Sequence, residues 1–529
     1  MWQLLQLGRL LRRGVPILHA LLLLGAVAVP AFAAYEALAA LLDPAGEESL
    51  ATLIDAPRWL LLLGNTAAVC AAALLTALIL GGGLALAATR TNLPGRRILI
   101  AAALLAACVP VYVSAVVFFA AIPAYELAGS RIACGLVYGL AYAPLAGLVL
   151  GPALRAADRD LEDLTLLDAK PWRVLVRVTL PQAAWGAAAA ALLVFLLVAT
   201  DFTITDILVI RTFAEEVYSQ YILHRRQAGP LLTAVPTLLA LVALLAFAPA
   251  RLGLLGEHSL WQHGTRPRVY ALGRWRPPAG VACGLLLAIA LGGPLALLFG
   301  HVRPLEGLGR SIAGMQRELW VSAALSALGA TLTLLPAPGL AWSLVRGGRW
   351  CGWSAAGLVL LLATPAPVVG ISLITLLNRP GVCGWIYDSP LVIVLGYFVR
   401  FLPVAALLLV PAVQRLPREV ELAARLDGCD WLAEHWHIRC PSLRRDAALV
   451  WLVVVILCFA EIGATKLLDV PGWETASVRA FTLIHFGVYR DLAVLALLST
   501  AFILLPWAGL LWLLHRARPI FQRPWEQLP

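Results

Sequence analysis

Charge is scarce in this chain of 529 residues: Asp, Glu, Lys and Arg make up 13% of it, while apolar residues make up 61%. A water-exposed surface normally draws about a quarter of a chain from those four types, so a soluble body of this length is excluded. The mean hydropathy of +0.86, with apolar residues gathered into runs instead of stripes, reads as an all-α polytopic membrane protein. Lysine is scarcer still. Only Lys170 and Lys466 occur, and neither ends a G-x-x-x-x-G-K loop, which excludes P-loop binding of ATP. The nine cysteines contain no C-x-x-C, and Cys70, Cys108, Cys283 and Cys458 lie inside apolar runs, so neither a disulfide framework nor a thiolate metal site is indicated. His435 and His437 stand two apart without an H-E-x-x-H frame. No convergent acid, base and nucleophile set is found, so no enzyme activity, catalytic residue, cofactor or metal is expected.

What is abundant is span-length apolar sequence. Hydrocarbon about 30 Å thick needs about 20 apolar residues per helix. Runs of that order start near Pro16, Trp59, Ile98, Ile132, Ala183 and Leu231. After a polar stretch from Arg251 to Arg276, they start again near Gly280, Leu319, Ser354, Leu391, Ala447 and Leu492. About twelve transmembrane helices are expected, six in each of two halves, 1–265 and 266–529. With the N-terminus inside, roughly two thirds of the Lys and Arg residues fall on the cytoplasmic side, and an even number of spans returns the C-terminus there. Topology then accounts for the net charge of +10, so the partner it implies is a lipid bilayer and not nucleic acid. Arg9, Arg12 and Arg13 before the first run also have the shape of a secretory signal, but with eleven further spans an uncleaved first helix is expected.

One polar segment occurs twice. The first copy reads Glu162-Asp163-Leu164-Thr165-Leu166-Leu167-Asp168 and closes at Pro181; the second reads Leu422-Ala423-Ala424-Arg425-Leu426-Asp427-Gly428 and closes at Pro441. The spacing from first residue to proline is 19 in both, and Val178 and Ile438 stand three before the prolines. An offset of 260 relates Pro181 to Pro441 and also Asp201 to Glu461, each just beyond the following span. Upstream, Asn65 through Arg90 is similar to Val321 through Arg346, and Pro144 and Pro152 recur as Pro403 and Pro411. These anchors indicate two homologous six-helix repeats about a pseudo-two-fold axis.

The repeated segment resembles the E-A-A-x(3)-G-x(9)-I-x-L-P loop of binding-protein-dependent ABC importer permeases. The agreement is split: the first copy keeps Glu162 but has Asp168 at the glycine, while the second keeps Ala423, Ala424 and Gly428 but has Leu422 at the glutamate, with Glu421 adjacent. Within that superfamily, Gly396 to Pro403 and Thr200-Asp201-Phe202-Thr203 look like the fused, double-length permeases of ferric-iron importers, whose relatives carry thiamine, phosphonates, sulfate or polyamines.

The resemblance implies a transport subunit in the bacterial inner membrane. ATP hydrolysis is expected in two copies of a cytoplasmic ATPase, and solute would arrive on an extracytoplasmic binding protein. Glu162, Asp163, Asp168 and Pro181, with Glu421, Ala423, Ala424, Gly428, Ile438 and Pro441, are the expected ATPase-coupling residues. Asp201, Arg400 and Glu461 are candidates for the pathway; Arg400 inside an apolar run also fits a structural ion pair. A major-facilitator carrier has twelve spans too, but its long loop follows the second span, where this chain has only Arg90 to Arg97.

Overall fold

The computed structural model describes residues 21–32, 56–107, 109–114, 129–224, 268–302, 306–347, 351–429 and 431–516, with isolated positions at 34–39 and 230–242. Apart from one isolated bridge between Thr91 and Tyr270, the regular structure of these residues is helical. The first half holds α1 (Leu21–Phe32), α2 (Ala56–Arg90), α3 (Arg96–Ala107) and α4 (Arg131–Arg155). It continues with α5 (Arg159–Thr165), α6 (Pro171–Val174), α7 (Ala184–Thr200) and α8 (Phe213–His224). The second half opens with α9 (Arg276–Leu287), α10 (Gly293–Val302), α11 (Leu308–Leu334) and α12 (Ala337–Arg346). It continues through α13 (Cys351–Ala363), α14 (Ala366–Leu377), α15 (Leu391–Gln414), α16 (Arg418–Leu426) and α17 (Trp431–Glu434). The last three are α18 (Cys440–Ala460), α19 (Ala476–His485) and α20 (Tyr489–Arg516).

Among the described residues 4 stretches are long and apolar enough to cross a membrane: α2, α4, α11 with α12, and α15. Two bent pairs raise this to 6: Pro171–Gln182 with α7, bent by 62°, and α13 with α14, bent by 105°. The second bend falls at Thr364-Pro365, because the residue before a proline is pushed out of helical geometry. Helices α3, α9, α18 and α20 coincide with four further expected runs, near Ile98, Gly280, Ala447 and Leu492. The run near Leu231 lies mostly outside the described residues, as do Arg9, Arg12, Arg13, Arg518 and Arg523.

Small residues set the packing. A Cβ on Gly139 would stand 2.5 Å from Thr76 Cβ and 2.8 Å from Ala73 O, and one on Gly81 would stand 2.3 Å from Ala143 O. Helices α2 and α4 therefore touch backbone to backbone, the contact that small residues permit where lipid supplies no hydrophobic drive. In the second half Gly329 of α11 instead receives the Tyr397 ring of α15, against which a Cβ would lie at 2.9 Å.

The first helix of each half packs outside its own half. Leu23, Ala26 and Val29 of α1 join the core formed by Leu340, Leu358 and Leu361. Cys283 and Leu287 of α9 join Leu84, Ala87 and Ala103 of α2 and α3, while Leu298 and Val302 of α10 reach Leu492 and Leu495 of α20.

Both repeated loops follow one plan. Each leaves a helix carrying two interior prolines (α4, α15), forms a short polar helix (α5, α16) and then a four-residue helix (α6, α17). Each then widens into a π-turn, Leu175–Thr179 or His435–Arg439, before the proline. Pro181 and Pro441 have no N–H to donate four residues back, which frees a carbonyl and favours the wider turn.

Candidate functional site

The two loops are anchored by equivalent charged nodes. Arg90 ends α2. Its Nη1 donates to Glu162 Oε2 at 2.9 Å, its Nε to Leu154 O at 2.6 Å and its Nη2 to Ala157 O at 3.5 Å. Thr179 Oγ1 donates to the other Glu162 oxygen. The paired side chains are 1% and 0% exposed. A buried ion pair persists only when its spare donors and acceptors are also met, and here backbone carbonyls and a hydroxyl meet them.

In the second half Arg346 ends α12. Its Nε donates to Glu421 Oε1 at 2.9 Å and its Nη2 to Leu416 O at 2.6 Å. Trp342 Nε1 donates to Glu421 Oε2 at 3.4 Å, and Arg439 Nη2 lies 3.7 Å from the same oxygen. Arg439 also bonds Glu434 and stacks 4.6 Å above the Trp342 ring.

These contacts correct the register of the repeat. Glu421, not Leu422, is the counterpart of Glu162, and Ala157 corresponds to Leu416 at the same offset of 259. Thr179 and Arg439 remain related by 260, like the prolines. The loops differ in length between glutamate and proline because α16 has 9 residues where α5 has 7, while the turn after α16 is one residue shorter.

That longer helix explains Gly428. It stands at φ +81, and Cys429 N donates back to Ala424 O at 2.9 Å, a Schellman C-cap that needs a left-handed residue. No atom lies within 4 Å of where its Cβ would be, so the glycine serves the turn and not a close approach within this chain. Asp168 does not share that backbone: its turn closes through Asp168 N and Ala169 N on Thr165 O, with no left-handed residue.

Around the anchors the loops present apolar side chains to solvent, led by Leu426 at 88% and Leu167 at 80% exposed, with Leu164 and Leu422 beside them. Ala423 is exposed and Ala424 buried, Ile438 is half-buried, and Pro181 and Pro441 are exposed. Asp163 pairs with Arg268 and, at 3.4 Å, with Arg159; the Arg268 hydrogen bond holds its carboxyl below the usual carboxylate range. His437 is exposed, with Nδ1 3.0 Å from Ala433 O.

A second polar group lies at the ends of α7 and α18. Asp201 accepts from Tyr138 Oη at 3.0 Å and from Thr203 Oγ1 at 2.8 Å. Glu461 Oε2 is 2.7 Å from Arg400 Nε, and its Oε1 accepts from Ala464 N at 2.8 Å. The Arg400 Nε makes no well-aimed hydrogen bond, so its link to Glu461 is a charge contact. Tyr142 stacks on Tyr138, and a Cβ on Gly463 would stand 3.2 Å from Glu461 Oε1 and 3.6 Å from the ring of Phe202, so Glu461, with its partner Arg400, and the residue next to Asp201 meet at one seam between the halves.

Beyond it, His485 Nε2 faces Asp206 Oδ2 of the other half at 3.0 Å and His485 Nδ1 faces Phe481 O at 2.9 Å. Two acceptors on two ring nitrogens suit the imidazolium, and the Asp206 bond raises the His485 pKa against the opposing effects of burial and Lys466. Among the described residues no group of His, Cys, Asp and Glu could hold a metal ion.

Sequence reading missed Arg90, Arg346, Thr179 and Arg439 as site residues, and Tyr138 and Tyr142 at the seam. The signal for the first pair was present: both arginines terminate long apolar runs at matching places in the repeat.

Two long proline-bearing helices, paired polar loops with buried anchors and a charged seam between the halves of the chain make up the candidate site. Residues 329–505 match the family described as binding-protein-dependent transport system inner membrane component. Over 463 residues the chain is 25% identical to the Fe(3+)-transport system permease protein FbpB 2 of Haemophilus influenzae, a match covering 85% of this chain and 89% of that protein. Permeases of this class work with an ATPase and a solute-binding protein.

Proposed function

We propose that the chain is a fused pair of six-helix permease repeats, 1–265 and 266–529, that moves ferric iron inward. One of two identical ATPase subunits docks on each loop, about 155–181 and 414–441, with both termini cytoplasmic. The observation that carries this reading is the duplicated anchor, Arg90 with Glu162 and Arg346 with Glu421, each fixing an apolar-faced loop rigidly to a long helix. A loop so fixed acts as a lever: displacement by the ATPase moves the helix and not the loop alone.

The solute rests on two supports. The Haemophilus relative is named for Fe(3+) transport. At the seam stand two carboxylates, Asp201 and Glu461, and one guanidinium, Arg400, which pairs with Glu461, a balance that favours a cation over sulfate or a phosphonate. The same balance fits thiamine or a polyamine, which makes an organic cation the second reading.

Uptake of labelled ferric iron into vesicles holding the permease and its ATPase, with and without a candidate binding protein, tests the assignment. Thiamine, polyamine and sulfate serve as the other arms. Binding-protein-dependent iron uptake that falls in Asp201→Asn is expected. Uptake of a different solute with none of iron would overturn the substrate.

A further inference from the structure

Residues 268–272 emerge from the polar stretch between the halves and lie across the first node. Tyr270 N donates to Arg90 O at 2.8 Å, and Tyr270 O accepts from Asn92 N at 3.2 Å. Leu272 N donates to Asn92 Oδ1 at 3.1 Å, and Arg90 Nη1 reaches Arg268 O at 3.4 Å. The Tyr270 hydroxyl stands 3.5 Å from Thr179 Oγ1, and the Arg268 side chain pairs with Asp163. A single five-residue segment thus touches the end of α2, the coupling helix α5 and the π-turn.

From there Gly273–Trp275 turns directly into α9, whose lower part packs on α2 and α3 and whose continuation, α10, packs on α20 of the second half. Among the described residues, the partners at the second node, Arg439 and Trp342, belong to the half itself. We infer that residues 268–272 form a strap that positions the first coupling helix and carries its displacement into the first helix of the second half.

The inference rests on the coupling-loop reading above. Its positioning residues are Arg268 and Tyr270, which act through α5 and not on solute. The Arg268 and Asp163 side chains are 38% and 39% exposed, so their pair contributes little to folding and can be removed without unfolding the chain.

The test uses the full complex of permease, ATPase and binding protein in vesicles and reads solute moved per ATP hydrolysed. Arg268→Gln and Arg268→Asp should each lower that ratio about two- to five-fold, the scale of a half-exposed pair. The double variant Arg268→Asp with Asp163→Arg should restore it. Four glycines inserted between Leu272 and Gly273 leave every strap contact in place but break continuity with α9, and should lower the ratio as well.

Three results would overturn the strap: a normal ratio in Arg268→Gln, a charge swap no better than Arg268→Asp alone, or a normal ratio after the insertion. Co-purification of the ATPase should be intact in the Arg268 variants and in the insertion. The coupling reading fails separately, if an inserted Gly428→Trp chain still retains its ATPase and transports fully.

Discussion

Glu162→Ala should be among the most damaging single changes outside the membrane spans. The side chain is 0% exposed, and its removal leaves the Arg90 guanidinium, 1% exposed, with backbone carbonyls and no countercharge. Breaking a buried pair from one side costs about 3–5 kcal/mol, because the surviving charge keeps its desolvation penalty. The equivalent Glu421→Ala should cost less, about 1–3 kcal/mol, since Arg346 is 17% exposed and can recruit water. Replacing both partners of the first node, Arg90→Met with Glu162→Leu, removes the penalty along with the attraction and should recover most of the loss. The assay is the apparent melting midpoint of detergent-purified protein, followed by tryptophan fluorescence. The expected order is wild type, then the double variant, then Glu421→Ala, with Glu162→Ala lowest. A Glu162→Ala protein melting with wild type, or a double variant below it, would refute the burial argument.

Gly428→Ala should weaken ATPase co-purification by the roughly 1–2 kcal/mol of a left-handed Cβ, and Gly428→Asn should be milder because asparagine tolerates that backbone. Gly428→Asp gains no licence from Asp168, whose backbone is different, and should behave no better than Gly428→Asn. Gly139→Leu should prevent accumulation of folded protein, since its Cβ alone would meet Thr76 Cβ at 2.5 Å; membrane-fraction yield measures this. For His485 the sign follows from a folded pKa raised above 6.5: its contribution is full below that pH and is lost as pH rises through the raised value. The melting difference between wild type and His485→Gln should therefore be largest in mildly acidic buffer and vanish in alkaline buffer.

Much of the arrangement was legible because it rests on local chemistry. Pro144, Pro152, Pro403 and Pro411 marked the long helices ahead of the loops, and Pro181 and Pro441 marked where the loops end, since a missing N–H acts wherever it falls. The loop glutamate was assigned one residue off because spacing counts residues and not turns. Two additional helical residues in α16, offset by a shorter turn, leave the proline spacing from Leu422 equal to that from Glu162 while moving the anchoring carboxylate to Glu421. The partner of Arg400 was among the named candidates but not paired with it, since Glu461 is 61 residues away and only the fold makes them neighbours. Residues 268–272 read as ordinary polar linker. Their role depends on backbone groups, which every residue carries and no composition reveals.

The π-turns also set a phase. An α-helix advances about 100° per residue, so one surplus residue would rotate everything before it by that angle relative to everything after it; the wider turn at Leu175–Thr179 absorbs that residue. Deleting the surplus residue would not swing α5 around the axis of the following span, whereas closing that turn into ordinary α-helix with every residue retained would. Glu162 and Thr179 would then point to different sides of the helix. Each loop is in this sense indexed to its span like a gear tooth to a shaft, and His435–Arg439 gives the other half the same setting.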